Sequence, residues 1–320
     1  NLKSDKLLGA GVYLDYVNND ARLVIENIKE ADELGGLMAS HVKVVGVLHD
    51  DNGRINGVKA KDLLTDEEFE IKAKMVINTT GPWVTKTLGL DDKNGEGEVI
   101  RPTKGVHLVV DSSRLRVPQP TYFDSGIGDG RMIFVVPREN KTYFGTTDTD
   151  YTGDYKHPRV EQADVDYLLK AINNRYPEAE ITINDIEASW AGLRPLLSGN
   201  GSSDYNGGGS NTGKVSDESF ENLVKIAVAY SKDEASRGEV EKSISSLKTA
   251  SAEKTLSPSQ VSRGSSLKVG DDGLITLSGG KITDYRKMAA GAMELIRKLF
   301  KELFNKDVRE VDSKKLQVSG

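Results

Sequence analysis

The sequence predicts a mixed fold, α/β with α+β character, and three observations carry that expectation. At 320 residues the chain exceeds the usual size of one domain. Its two ends alternate apolar strands, glycine-bearing loops and helices. Its middle is instead a series of short strands separated by polar turns. The matching ends read as one unit that is discontinuous in sequence, and the middle as a second, more antiparallel unit.

Taken in order, residues 20–34 place Leu23, Ile25, Ile28, Ala31 and Leu34 mostly on one stripe, with Asp20 as the expected cap and Gly35-Gly36 as the stop. Strands are expected over residues 41–48, 58–64 and 68–71, with a turn at Asp50-Asp51-Asn52-Gly53 between the first two. The apolar run Met75-Val76-Ile77 reads as a buried strand whose carboxyl end opens into Asn78-Thr79-Thr80-Gly81-Pro82-Trp83. In the middle, residues 106–110, 132–136 and 142–145 are short strands, the last two joined in hairpin fashion across Pro137-Arg138-Glu139-Asn140. Val165, Leu168, Leu169 and Ile172 mark a helix that stops before Tyr176-Pro177. Residues 181–186 form a further expected strand, leading to a rigid turn around Gly192-Leu193-Arg194-Pro195.

Residues 198–216 are rich in Gly, Ser and Asn and read as a mobile surface loop. Two modest helices follow, around Phe220 to Ala227 and Val240 to Leu247, inside a single insertion. A strand at residues 274–277 then runs through Gly279-Gly280-Lys281 into a long helix. That helix is expected to bury Tyr285, Met288, Ala289, Ala292, Met293, Ile296, Leu299 and Phe300.

Composition excludes several classes of function. The formal net charge is -6 and the basic residues are interspersed with acidic ones, which argues against nucleic-acid binding. With no cysteine there is no disulfide framework, thiolate metal site or Cys nucleophile, so redox chemistry would need a borrowed cofactor, and a reducing cytoplasm fits. The four histidines, at positions 41, 49, 107 and 157, include no i, i+4 pair, so no metal site is expected. There is no run of about 18 apolar residues, and Asn1 opens neither with Met nor with a signal peptide, so the chain is expected to be soluble and truncated. A homo-oligomer is left open.

Two loops stand out chemically. Asn78 to Trp83 and Gly279-Gly280-Lys281-Ile282-Thr283 each follow an apolar strand, where glycine lets backbone N–H groups come close to a flat ring or a pyrophosphate. Neither loop is a G-x-G-x-x-G fingerprint, and no such motif occurs in a strand-to-helix setting. His107 lies in an alternating strand and carries a group that titrates near neutrality.

Six short motifs in order carry a resemblance: Asp20-Ala21-Arg22-Leu23, Asn78 to Trp83, Lys104-Gly105-Val106-His107, Gly145-Thr146-Thr147-Asp148, Gly192-Leu193-Arg194-Pro195, and Ser278 to Arg286. Together the chain resembles the FAD-dependent glycerol-3-phosphate dehydrogenases and oxidases, over nearly everything except residues 198–256. An insertion at that place is similar to the one in the family's soluble oxidases, which tilts the expectation towards oxidase. The resemblance implies a D-amino-acid-oxidase-like architecture, with an incomplete FAD-binding Rossmann-like unit and a mixed or antiparallel substrate domain. Its implied boundaries are 1–95 for the first part of the FAD domain, 96–197 for the substrate domain and 198–257 for the insertion. Residues 258–310 return to both units, and 311–320 lead towards a further domain. Since family members open with a dinucleotide-binding strand and close with a helical domain, the chain alone is expected to be inactive and colourless.

The resemblance also implies roles. His107 would accept the hydroxyl proton of the substrate, and Arg194 would contact the substrate beside the reacting carbon. Arg263 would hold a phosphate in bidentate fashion, and Lys281 would place positive charge beside the flavin and touch the substrate. Thr80, Gly81, Pro82, Trp83, Gly279, Gly280, Lys281, Ile282 and Thr283 would line the FAD. The implied reaction oxidises sn-glycerol 3-phosphate to dihydroxyacetone phosphate, with O2 reduced to hydrogen peroxide. A quinone-linked dehydrogenase, a flavin amino-acid or amine oxidase, and a non-catalytic interaction module are the alternatives.

Overall fold

In a computed structural model of the chain, residues 3, 7–14, 17–91, 99–198, 217–232, 236, 240 and 264–315 are described. The chain divides into two compact units. An outer unit comprises Val12–Glu98, Ser202–Gly208 and Arg263–Gly320, and a middle unit comprises Asn1–Gly11, Val99–Gly201 and Gly209–Ser262.

The outer unit opens with α1 (Asp20–Glu33), whose cap is Asn19 rather than the expected Asp20: the Asn19 side chain accepts from the Arg22 amide at 3.1 Å. Gly35, at φ +90°, lets the chain leave the helix. Among the described residues the apolar stripe of α1 is largely exposed, and its buried residue is Glu26, paired with Arg22 at 2.5 Å and Lys29 at 3.1 Å. Strands β1 (Val42–His49), β2 (Ile55–Asp62) and β3 (Glu68–Lys72) form an antiparallel meander. Asp50 closes the β1–β2 turn by accepting from the amides of Asn52 and Arg54.

A second small sheet brings distant sequence together. Strand β12 (Ile275–Gly279) lies between β11 (Ser265–Val269), to which it is antiparallel, and β4 (Ile77–Asn78), to which it is parallel. The ladder of β4 is two residues long and starts two residues later than expected, although the Val76 carbonyl still accepts from Ile275. Each of these parallel strands runs into a short 3-10 turn and a helix. Gly81–Trp83 leads to α2 (Val84–Leu88), and Ile282–Asp284 leads to α5 (Tyr285–Phe304). Only Ala292 of α5 is fully buried, so the extensive buried side expected for this helix is not seen among the described residues.

The middle unit is a six-stranded antiparallel sheet of β5 (Val99–Asp111), β6 (Thr121–Asp124), β7 (Met132–Arg138), β8 (Lys141–Gly145), β9 (Thr149–Asp150) and β10 (Ile186–Ser198). The order is β10-β5-β8-β7-β6, with β9 also paired to β5. Alternation sends Val106, Leu108, Val110, Ile133, Val135 and Phe144 to one face, where they pack with Val165, Leu168 and Ile172 of α3 (Gln162–Arg175). Residues 192–195 are not a turn: β10 pairs with β5 from Ile186 to Ser198. Pro195 is tolerated because β10 is the edge strand. The strand expected at residues 181–186 is replaced by the 3-10 turn Ile183–Asp185, whose Asp185 side chain accepts from the Thr182 amide at 2.8 Å. Helix α4 (Asp217–Ser231) matches the first helix of the insertion; the second falls almost wholly outside the described residues, as does the Gly-rich loop beyond Ser198.

One buried charge pins α3 to the sheet. The Lys104 ammonium, on the core side of β5, lies 2.7 Å from Asp164 and 3.0 Å from Glu161, and donates to the Arg159 carbonyl. Burial alone would depress its pKa, but the hydrogen bonds to Asp164 and Glu161 outweigh that and raise it. Lys104→Met strands the buried Asp164 carboxylate and is expected to cost about 3–5 kcal/mol, read as a lower urea midpoint. A loss below about 1 kcal/mol would show that the pair is not a buried ion pair.

Candidate functional site

The face of the middle sheet opposite α3 carries the reactive side chains. Because paired residues share a face, the register His107↔Trp190, His107↔Gly145, Gly145↔Phe134 and Phe134↔Tyr122 lines up the rings of Trp190, His107, Phe134 and Tyr122 across the sheet, with Gly145 between His107 and Phe134. The His107 ring stacks on Trp190 with centroids 4.7 Å apart and planes 10° from parallel, and meets Tyr143 edge-on at 6.1 Å. Glycines make room for it. A Cβ on Gly145 would press into the imidazole, and one on Gly105 would collide with the Arg194 guanidinium.

Arg194 lies two positions from Gly192 on β10, on the same face as Trp190. Its Nη2 donates to Thr146 Oγ1 at 2.9 Å, and its Nη1 donates to the Thr147 carbonyl and to Asp148 Oδ1, both at 3.3 Å. The loop from Thr146 to Asp148 is therefore a clamp on the guanidinium, and Thr147 Oγ1 is tied in turn to the Val106 amide. The cation is held by three contacts, and one quarter of its side chain remains open.

This setting controls His107. Burial first, and the neighbouring Arg194 charge second, push its pKa down to about 4. At neutral pH the ring is uncharged. Its Nδ1 is buried and meets no hydrogen-bond partner among the described residues. The result is a neutral imidazole beside a fixed cation on an aromatic floor, an arrangement able to take up a proton when an anion arrives to offset Arg194.

In the outer unit the two glycine loops come together. Strands β4 and β12 run parallel with Ile77 opposite Ile275 and Asn78 opposite Thr276, so Gly81 and Gly279 each follow the last pair by three residues, at the same end of the sheet. Ligands of parallel sheets bind beyond such carboxyl ends. Gly81 is left-handed at φ +57°, and a Cβ there would meet only open space. Asn78 holds the loop from below: its Oδ1 accepts from the Thr80 hydroxyl at 2.7 Å and its Nδ2 donates to the Val84 carbonyl. Gly279 and Gly280 are also left-handed, at φ +71° and +81°. Gly280 serves helix packing, since a Cβ there would strike Met288 of α5.

Pro82, Trp83, Ile282 and Thr283 lie on the turns after these strands, with Trp83, Ile282 and Thr283 exposed. Lys281 precedes the 3-10 turn and is exposed. These residues fit a flat, pyrophosphate-bearing group: two adjacent strand ends, backbone free of side chains, and a cation at the rim. Arg263 lies outside the described residues. Trp190 and Tyr143 are not among the site residues expected from the sequence, and Thr146 to Asp148 entered there only as one of the motifs of the resemblance. The period-2 spacing of Trp190, Gly192 and Arg194 was the available signal, hidden by reading Gly and Pro as a turn.

Comparison with known proteins identifies the family. Residues 1–211 match the family model described as DAO, FAD dependent oxidoreductase. Over all 320 residues the chain is 61% identical to an alpha-glycerophosphate oxidase of Streptococcus pneumoniae, and over 319 residues 59% identical to that of Enterococcus casseliflavus. It spans about half the length of these curated relatives, 52% in both. Among solved structures, the glycerol-3-phosphate dehydrogenase from Bacillus halodurans complexed with FAD superposes with a TM-score of 0.70 at 34% identity, covering 98% of this chain and 48% of that one. Among the described residues no helix is long and apolar enough to cross a membrane. Paired glycine loops at parallel strand ends, an antiparallel sheet bearing His107 and Arg194, and a family match to residues 1–211, more than half of the chain, lead to one assignment: the chain belongs to the FAD-dependent oxidoreductases of the DAO family.

Proposed function

We propose that the full-length protein is a glycerol-3-phosphate oxidase, converting sn-glycerol 3-phosphate to dihydroxyacetone phosphate and O2 to hydrogen peroxide. The observation that carries this reading is the 61% identity, over every residue, to an alpha-glycerophosphate oxidase. The His107 and Arg194 face supports it chemically. His107 accepts the C2 hydroxyl proton, and its basicity, depressed mainly by burial, recovers in part as the substrate phosphate offsets the smaller contribution of the Arg194 charge. Arg194 and Arg263 orient the anion, while the aromatic floor excludes water from the reacting carbon.

Thr80, Gly81, Pro82, Trp83 and the run from Gly279 to Thr283 would hold FAD, with Lys281 supplying positive charge at its rim. Bound there, FAD supplies the two-electron acceptor for the C2 hydride and the route of those electrons to O2. The outer unit is thus the FAD domain and the middle unit the substrate domain. The absence of cysteine fits a cytoplasmic enzyme.

The 34% identity to a glycerol-3-phosphate dehydrogenase favours, as a second reading, a quinone in place of O2. An oxygen-electrode assay of the full-length holoenzyme separates these possibilities. The proposed oxidase consumes one O2 and releases one peroxide per glycerol 3-phosphate, and leaves glycine and D-alanine untouched. Substrate loss that needs an added quinone, with no peroxide, would assign the dehydrogenase; turnover of the amino acids alone would assign an amine oxidase.

A further inference from the structure

Three side chains from distant parts of the outer unit converge. His49 ends β1, Asp91 follows α2, and Asp272 sits in the turn between β11 and β12. His49 Nε2 is 2.8 Å from Asp91 Oδ2 and 3.5 Å from Asp272 Oδ2, and the three donor atoms lie within 4.8 Å of one another. Zinc holds nitrogen and oxygen ligands at about 2.0–2.2 Å, which sets neighbouring ligand atoms in one shell about 3–3.5 Å apart.

A second observation points into the same space. The Asp272 side chain is only 2% exposed. Its Oδ1 accepts from the Leu274 amide at 2.9 Å, and its backbone carbonyl accepts from Ile55, so the turn is rigid. Its Oδ2, however, is buried and accepts no hydrogen bond among the described residues, and His49 Nε2, for all its closeness to Asp91, meets no hydrogen-bond geometry either. Buried polar atoms are nearly always satisfied, and where protein groups leave one without a hydrogen bond, a bound ion can take their place.

We propose that His49, Asp91 and Asp272 form a structural site for a divalent transition-metal ion, with Zn2+ as its probe. One imidazole and two carboxylates are a mixed nitrogen and oxygen set of the kind zinc accepts, and the two carboxylates neutralise a divalent ion. The ion joins the β1–β2 meander, the end of α2 and the hairpin that carries β12 into Gly279. It would stiffen the strand that ends in the glycine loop without touching substrate.

The test uses full-length holoenzyme stripped with a chelator and titrated with ZnCl2 alone by calorimetry. Wild type is expected to bind one Zn2+ and to gain thermal stability from it. Asp272→Asn and His49→Gln should each weaken binding by more than about 100-fold, since each removes a direct ligand and not merely an outer partner, while FAD content and far-UV dichroism stay unchanged. Cobalt(II) loading provides a readout that survives a folding defect in either variant: wild type should show visible absorption bands of low-symmetry cobalt bound to nitrogen and oxygen. Zinc binding that is unaltered in both variants, or wild type that takes up neither metal, would overturn the site and leave a His–Asp ion cluster.

Discussion

His107→Gln is expected to lower turnover of glycerol 3-phosphate by about 10²–10⁴-fold, the range for loss of a positioned general base, while KM changes little. Glutamine keeps a polar side chain of similar reach on the aromatic floor but cannot take the proton. The same variant carries a pH signature from the unusual setting of the imidazole. Folded His107 titrates near 4, against an ordinary value of 6.5. Between those values the unfolded chain holds more proton than the folded one, so folding stability rises with pH through that window. The penalty is absent above about pH 6.5 and complete below about pH 4, and reaches at most about 3 kcal/mol. His107→Gln removes it, so in urea unfolding the variant gains on wild type as pH falls from 7 to 4.5. A stability difference independent of pH would place the imidazole in water, and turnover within threefold of wild type would remove it from the chemistry.

Arg194→Met is the second large effect. It removes a clamped cation that, on the proposed function, lies beside the reacting carbon, and with it a contact of the kind that is expected to cost about 10²–10³-fold in turnover. KM should rise as well, because the proposed substrate is an anion. The pKa of His107 should move back towards neutrality, as one of its two depressing influences is gone. Arg194→Lys keeps the charge but not the planar fork that reaches Thr146, Thr147 and Asp148 together, so partial recovery of turnover is expected. If Arg194→Met left both turnover and the His107 titration unchanged, the guanidinium would be structural.

The parts of this arrangement that were legible in the sequence are those set by local pattern. The glycine loop after Ile77 and the one after Leu277 announced strand ends, and α3 and the hairpin between β7 and β8 followed from periodicity and turn chemistry. The fold class was legible for the same reason. What was missed was set by pairing between remote segments. Residues 192–195 look like a turn because Gly and Pro usually make one, but thirteen residues of β5 and the edge position of β10 hold them extended. That one change moves Arg194 from a loop tip onto the face that holds His107. The cluster of His49, Asp91 and Asp272 was likewise invisible, since no spacing rule joins positions 42 and 181 residues apart. The cap of α1 fell one residue early because Asn19 and Asp20 are both good caps and only backbone geometry chooses between them.

Anaerobic reduction of the full-length holoenzyme tests what the His107 and Arg194 face receives, without the complication of an acceptor. On the account given, one equivalent of sn-glycerol 3-phosphate bleaches the flavin absorbance completely and yields one equivalent of dihydroxyacetone phosphate, and glycine or D-alanine leaves the spectrum unchanged. A flavin that stays oxidised with glycerol 3-phosphate, or bleaches only with an amino acid, would contradict it.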